Sequence, residues 1–142
     1  MSRILGLDYG TKTVGVAISD PLLLTAQEFE TITRERASAL RHTLVRIKEI
    51  CEEYQVDKII LGYPRNMDDT EGFRCQDTLE FKKLLEKRVD IPIELVDERL
   101  TTVYADEILE ESGVAKSERK KYIDQIAAAI ILQDYLDNKK RQ

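Results

Sequence analysis

The stretch Ile4-Leu5-Gly6-Leu7-Asp8-Tyr9-Gly10 is an apolar run that carries one carboxylate near its end. The run predicts a buried strand over residues 3–9, although acidic residues are depleted in strands. A lone buried carboxylate is costly unless something pairs with it. Asp8 therefore either caps the turn that follows, as Asp commonly does, or belongs to a functional site.

Two further strands are predicted directly after this run. A short turn containing Gly10 leads into a second apolar run at residues 14–19, and this arrangement is typical of a hairpin. Residues 27–33 alternate between apolar and polar side chains, as a third strand would. The first three strands are therefore expected to be antiparallel.

Strands and helices alternate through the rest of the chain. Strands are predicted over 57–62 and 91–96, and helices over 34–54, 73–88, 101–111 and 117–137. In the helix over 73–88, the expected inward residues are Leu79, Leu84 and Leu85. We expect one α/β domain over residues 1–142, built on a five-stranded mixed sheet with antiparallel strands 1–3, parallel strands 4 and 5, and helices on both faces.

Composition narrows the class of protein. The chain has 142 residues, of which 42% are hydrophobic and 35% charged, as in soluble globular domains. No run is long and apolar enough to span a bilayer, and the first residues do not have the pattern of a secretory signal. We therefore expect no membrane association.

The cysteines and the histidine do not form a site in the sequence. Cys51 and Cys75 lie in no CxxC pair, and His42 is the only histidine. Zinc sites and Cys/His nucleophiles are thus poorly supported. Both cysteines are expected to be free thiols in a reducing cytosol, although one disulfide stays open as an alternative.

The net charge of −5 argues against indiscriminate binding to nucleic acid, which relies on neutralising phosphates. It leaves room for a local basic surface. One basic cluster lies within Lys116–Lys121 and another within Lys139–Arg141. Each is either a solvated face or a contact surface, and the pattern does not decide between the two.

Glu98 follows the strand predicted over 91–96, next to Asp97 and Arg99. Acidic residues are favoured at the start of a helix, which accounts for one of the two acids. The carboxyl end of a strand in an open α/β sheet is also where ligands bind. Glu98 is therefore a second candidate for a site.

Asp124 is a third acid in an unusual place. Ala127, Ala128 and Ile131 follow it at helical spacing, so the carboxylate lies on an otherwise small and apolar face. It either still contacts water near the start of the helix or binds a partner at the sheet. Alanines on this face would let the helix approach the sheet closely.

Three carboxylates from separate elements suit a hard divalent cation. Mg²⁺ and Mn²⁺ are bound by carboxylate oxygens, water and substrate phosphate. Two such ions about 4 Å apart can activate a water molecule and stabilise the leaving oxygen of an in-line displacement. Without histidine or cysteine candidates, metal-dependent phosphodiester chemistry is the reading that these residues favour.

Four motifs, in order along nearly the whole chain, resemble the YqgF family, whose members have been described as Holliday-junction-resolvase-like proteins and as pre-16S ribosomal RNA nucleases. The motifs lie at Ile4–Lys12, Gly62–Gly72, Asp97–Thr102 and Asp124–Ala128. The resemblance implies an RNase H-like fold. It also implies a cytoplasmic bacterial protein that acts on structured RNA or branched DNA.

The resemblance further implies that the metal-binding catalytic acids are Asp8, Glu98 and Asp124, with two Mg²⁺ or Mn²⁺ ions as cofactors. Basic and polar residues near the motifs are candidates for contacts with substrate phosphates. These residues are Lys12, Arg65, Asn66, Arg74 and Arg99. Arg99 has the alternative role of offsetting the negative charge of its neighbours.

Several functions remain open on the sequence. The leading one is a nuclease that processes the 5′ end of pre-16S rRNA, and the second is a resolvase acting on four-way DNA. The first fits a monomer or a homodimer, whereas a resolvase must cut two strands symmetrically and favours a dimer. A third is a non-catalytic nucleic-acid or ribosome-associated binding module. A phosphotransferase of the actin-like type is a weaker alternative, because such enzymes generally need two domains of this kind.

Overall fold

The computed structural model describes residues 2–64, 73–97, 108, 110–113 and 116–140. All five predicted strands are present, each with bounds within two residues of the expected ones. The elements are β1 (Arg3–Tyr9), β2 (Thr13–Ser19), β3 (Ala26–Thr33), α1 (Arg41–Glu53), β4 (Val56–Tyr63), α2 (Phe73–Glu86), β5 (Ile93–Asp97) and α3 (Lys116–Lys140).

The sheet has the order β3-β2-β1-β4-β5, so β1 lies at its centre. β1 and β2 are antiparallel, as are β2 and β3. β4 is parallel to β1, and β5 is parallel to β4. The predicted mixed sheet is confirmed, and its parallel half brings the carboxyl ends of β1, β4 and β5 to one edge.

Alternation along β1 builds a core on each face of the sheet. Leu5 and Leu7 pack with residues of α1 and α2, whereas Ile4 packs with residues of α3. Successive side chains on a strand point to opposite faces, so Gly6 and Asp8 share the α3 face with Ile4. Helices cover both faces, as predicted.

α3 packs unusually close to the sheet. Its Ala127 and Ala128 are fully buried, and β1 presents a glycine to it. A Cβ atom at Gly6 would lie 2.9 Å from Leu132 Cβ and 3.1 Å from the Ala128 carbonyl oxygen. The small residues on both sides therefore set the depth of α3, as the alanine run predicted.

The first helix begins later than its periodicity predicted. It was expected over 34–54, but α1 begins at Arg41. The backbone N–H of Arg34 donates to the Lys12 carbonyl, which continues the hairpin pairing, and the Arg34 side chain is buried. These contacts hold residue 34 beside the sheet, so the chain turns into a helix only beyond them.

The inward face of α2 also differs from the prediction. Leu85 is fully buried, but Leu84 is 38% exposed and Leu79 is only half-buried. The inward face is instead formed by residues three or four positions apart: Cys75, Thr78, Phe81 and Leu85. Leucine spacing alone was misleading because most of the α2 side chains that pack inward are not leucines.

Most of the helix predicted over 101–111 lies outside the described residues. Where the chain is described again, the Ser112 N–H donates to the Ile108 carbonyl in a helical turn. Gly113 follows with φ +79°. A residue in this left-handed conformation ends a helix, and glycine adopts it without strain, so the predicted stop is confirmed. Among the described residues, no helix combines the length and the hydropathy needed to cross a membrane.

Cys51 and Cys75 are both free, as expected, and both are buried. Burial raises the pKa of the Cys51 thiol from 9.0 to about 11, with a smaller contribution from Glu52. Between these values the unfolded chain releases a proton that the folded chain keeps. The contribution of Cys51 to the free energy of unfolding is therefore fully present below pH 9.0 and is lost as the pH rises toward about 11.

Across that interval we expect the free energy of unfolding to fall by about 2 to 3 kcal/mol because of Cys51. This follows from roughly 1.4 kcal/mol per pKa unit. Urea unfolding of the parent and of Cys51→Ala, measured at steps between the two pKa values, checks this. The free energy of unfolding of the variant should decline less steeply with pH because the variant lacks the thiol. Parallel declines in the two proteins would contradict the assignment.

Candidate functional site

Asp8 lies one residue before the end of β1, on the face that α3 covers. It is only 8% exposed, so the strand holds its carboxylate close to the protein interior. Across the β1–β2 ladder, Asp8 is paired with Gly15. Directly opposed residues in antiparallel strands have Cα atoms about 4.5 to 5.5 Å apart. Whatever lies over Gly15 is therefore a neighbour of Asp8.

Asp124 of α3 is that neighbour. A Cβ atom at Gly15 would lie 1.8 Å from the Asp124 carbonyl oxygen, which shows that the helix backbone occupies the space of the missing side chain. Gly15 thus lets the backbone of Asp124 lie beside the end of the strand that carries Asp8. Sequence reasoning did not identify Gly15, although a glycine inside an apolar strand often marks such a close approach.

An open groove of about 420 Å³ lies beside Asp124. We call it the acid groove, and its lining residues are Thr11, Lys12, Thr13, Ile123 and Asp124. Lys12 is exposed, so its ammonium can reach a ligand in the groove. The structure therefore brings one predicted phosphate contact, Lys12, to one predicted acid.

The third predicted acid, Glu98, lies outside the described residues, as do Arg65, Asn66 and Arg99. β5, which Glu98 follows, ends at Asp97, paired with Tyr63 at the end of β4. Within residues 2–64, 73–97, 108, 110–113 and 116–140, no three His, Cys, Asp or Glu side chains are placed to hold one metal ion. Of the three predicted acids, the described part of the chain contains Asp8 and Asp124.

Those two carboxylates fit a hard divalent cation. Both offer oxygen ligands only, which suits Mg²⁺ or Mn²⁺ rather than a softer metal. Asp8 is buried, and a buried carboxylate is stabilised by a nearby positive charge. The rigid elements β1 and α3 hold the backbones of both residues in place. Binding of Mg²⁺ or Mn²⁺ by these residues stays a prediction.

Lys12 lies in the turn Gly10–Thr13, which follows Asp8 closely in the chain and is held by backbone hydrogen bonds. The Gly10 N–H donates to the Thr13 carbonyl oxygen at 2.7 Å, and the Arg34 N–H donates to the Lys12 carbonyl oxygen at 2.9 Å. A held turn fixes the position of the Lys12 backbone relative to the acids. Lys12 is therefore presented from a rigid support.

Arg74 is separated from the acid groove by this turn. It is exposed at the start of α2 and donates to the Tyr9 carbonyl oxygen at 3.5 Å. α2 covers the face opposite α3, so Lys12 and Arg74 lie on two sides of the turn Gly10–Thr13. The predicted phosphate contacts that are described do not converge on one point.

Arg34 is a residue that the sequence interpretation missed. Its Nη2 donates to the carbonyl oxygens of Gly10 and Thr11, both at 2.6 Å. Its guanidinium carbon lies 4.8 Å from the centre of the Tyr9 ring, which stacks on Phe81 at 4.2 Å. No local pattern marked Arg34, because its partners come from distant parts of the chain.

The same packing affects Tyr9. Burial raises the pKa of the Tyr9 hydroxyl, and the Arg34 charge opposes that rise. Asp77 and Glu80 of α2 raise the pKa further. Tyr9 is therefore neutral at physiological pH, and its role here is to support the guanidinium of Arg34.

The basic cluster Lys116–Lys121 falls in the first turns of α3. It therefore belongs to the helix that carries Asp124, one to two turns before that acid. The side chains of this cluster lie outside what the structure describes. Their contact with a substrate stays a prediction.

Curated relatives match the chain over nearly its full length. A protein from Lachnospira eligens is 56% identical over 139 residues, covering 98% of this chain and 99% of the relative. One from Acetivibrio thermocellus is 51% identical over 138 residues, covering 96% of each. One from Clostridium acetobutylicum is 44% identical over 136 residues, covering 96% of this chain and 98% of the relative. Each is named "Putative pre-16S rRNA nuclease".

Solved structures share the fold at low sequence identity. Thermus thermophilus RuvC in complex with Holliday junction substrate matches with a TM-score of 0.62 and 13% identity, covering 100% of this chain and 98% of that one. The fowlpox virus Holliday junction resolvase matches with a TM-score of 0.55 and 14% identity, covering 96% and 99%. The fold is therefore RNase H-like, as the motif resemblance implied.

A family model described as "RuvX: Holliday junction resolvase" matches residues 2–138. This match and the relatives agree with the four motifs. The chain belongs to the RuvX family, the YqgF family that its motifs resemble, and is by that membership a nuclease.

Proposed function

We propose that this protein is a divalent-metal-dependent nuclease that hydrolyses phosphodiester bonds at the 5′ end of pre-16S rRNA during ribosome biogenesis. The observation that carries the proposal is the position of the Asp124 backbone over Gly15, the partner of Asp8. The names of the relatives, which cover nearly the whole chain, support the substrate. Such a substrate places the protein in the cytoplasm.

The metal site is formed by Asp8 and Asp124, with Glu98 as the third ligand. When bound, two Mg²⁺ or Mn²⁺ ions supply the charge that activates a water molecule and stabilises the leaving oxygen. Asp8 is fixed by the central strand and Asp124 by α3, so the carboxylates need little reorganisation when a substrate arrives. The exposed Lys12 holds a phosphate in the acid groove beside Asp124.

Resolution of four-way DNA junctions is the alternative function. The description of the family model favours it, and the same acids and ions would serve it. A resolvase of this kind would act as a homodimer, because two strands must be cut symmetrically. The RNA nuclease needs only a monomer. Substrate choice therefore separates the two functions more directly than the acids do.

A side-by-side cleavage assay tests the proposal. Purified protein is given a pre-16S 5′ segment, the same RNA with a mature 5′ end, and a four-way DNA junction, each with Mg²⁺, with Mn²⁺ or with a chelator. We expect the precursor to be cut in either metal, the mature RNA to be spared, and the chelator to stop the reaction. These results follow if the ions provide the charge for the chemistry.

Other results would favour other functions. Paired symmetric cuts in the junction, with the precursor RNA intact, would favour the resolvase. Tight binding of nucleic acid without cleavage in either metal would overturn the nuclease proposal and leave a binding module. The mature RNA is the matched control, because it differs from the precursor only in the segment to be removed.

A further inference from the structure

A second pocket, of about 310 Å³, lies on the other side of the turn Gly10–Thr13 from the acid groove. We call it the arginine pocket. The end of β1, the connection before α1 and the first turns of α2 form its walls. The polar and charged residues that line it include Thr11, Arg34, Ser38, Arg74, Asp77 and Glu80.

Arg34 gives this pocket a buried positive charge. The residue is only 8% exposed, and its guanidinium donates to the carbonyl oxygens of Gly10, Thr11 and Ala37. Its Nη1 has no acceptor among the described residues. A buried cation is costly unless an anion balances it. The three carbonyl groups orient the guanidinium but contribute no negative charge.

No carboxylate in the described part of the chain provides that balance. Asp77 and Glu80 line the α2 side of the pocket, yet neither forms an ion pair with Arg34 or Arg74. Within the part of the chain that the structure describes, the two arginines thus have no anionic partner, and an anionic ligand would supply one. Asp77 and Glu80 repel a ligand that carries several negative charges more strongly than a ligand that carries a single negative charge.

We propose that the arginine pocket binds one backbone phosphodiester of the substrate strand, next to the bond that is cleaved. Thr11 lines both this pocket and the acid groove, so one strand that crosses the turn Gly10–Thr13 contacts both. Arg34 is the fixed cation and exposed Arg74 the adaptable one. The proposal rests on the proposed function only for the identity of the ligand.

The chemistry of arginine suits this role. A guanidinium forms charge-assisted hydrogen bonds with phosphate oxygens, and a side chain that is already ordered loses little entropy on binding. Arg34 is ordered by its carbonyl partners and by the Tyr9 ring. Because Nη1 is buried, a direct hydrogen bond from Nη1 to a phosphate needs a small opening of the pocket. The electrostatic attraction between the guanidinium and the phosphate does not need that opening.

Neutralising phosphates one at a time tests the proposal. Substrate strands that each carry a single methylphosphonate linkage are bound to the Asp8→Asn protein without divalent metal, so that binding alone is measured. We expect one linkage next to the cleavage site to weaken binding by about tenfold, the size of one charge-assisted contact. In the same background, Arg34→Gln should lose the sensitivity at that linkage and keep it elsewhere.

A second pair of variants keeps the test valid if Arg34→Gln does not fold. Ser38 is an exposed residue of the pocket wall, so Ser38→Asp adds a negative charge with little risk to the fold. Its neutral match is Ser38→Asn. We expect Ser38→Asp to abolish the sensitivity at the same linkage and Ser38→Asn to preserve it. Glu80→Gln should strengthen binding about twofold by removing repulsion.

Identical neutralisation profiles for the parent, Arg34→Gln and Ser38→Asp would overturn the phosphate site. This outcome is distinguishable from failure of the proposed function, which is judged by cleavage of the unmodified substrate. A protein that binds with the expected profile but never cleaves would keep the subsite and lose the nuclease. A protein that cleaves with identical profiles would keep the nuclease and lose the subsite.

Discussion

Asp8→Asn is expected to lower metal-dependent cleavage by about 100-fold or more. Even the outer partners of a metal ligand are worth roughly 10- to 100-fold, so loss of a ligand's charge should cost at least as much. Asn keeps the size of Asp and removes only the negative charge. Because Asp8 is buried beside Asp124, water cannot simply replace that charge.

The measurement is a single-turnover cleavage rate, together with a Mn²⁺ titration by calorimetry. Thermal unfolding checks that Asp8→Asn is folded. The matched control is Asp57→Asn, an exposed aspartate near the start of β4, at the opposite end of the parallel strands. It should cleave like the parent. Full activity of Asp8→Asn would remove Asp8 from the catalytic site.

Gly15→Ala is expected to destabilise the fold by about 3 kcal/mol or more, at the upper end of what overpacking costs. The new Cβ would lie 1.8 Å from the Asp124 carbonyl oxygen, which is backbone and cannot rotate away. α3 must move off β2, and Asp124 moves with it. We therefore expect Mn²⁺ affinity to fall in any fraction that still folds.

Urea unfolding and Mn²⁺ titration of the same samples check this expectation. Gly10→Ala is the matched control in the adjoining turn, where the added Cβ would lie 3.2 Å from the Thr13 carbonyl oxygen and 3.3 Å from its Oγ1. A shift of a few tenths of an ångström relieves that contact, so its stability loss should be much smaller. A Gly15→Ala protein as stable as the parent would show that α3 does not need this close approach.

The strands were predictable because their signal is local. Each is an apolar or alternating run bounded by turn residues, and that pattern depends only on neighbours in sequence. The start of α1 was not predictable in this way. Periodicity extended the helix back to residue 34, but contacts of Arg34 with the turn Gly10–Thr13 override it. Leu84 was misplaced for a similar reason, since packing against the sheet set the orientation of α2.

The amino-acid sequence was enough to predict the order of the elements, the mixed direction of the sheet and the unusual placement of Asp8 and Asp124. It did so because a carboxylate on an apolar strand or helix face is visible without any partner. Tertiary packing alone places the backbone of Asp124 over Gly15, the partner of Asp8, and leaves buried Arg34 without an ion pair among the described residues. Such contacts join residues far apart in the chain, and no local periodicity encodes them.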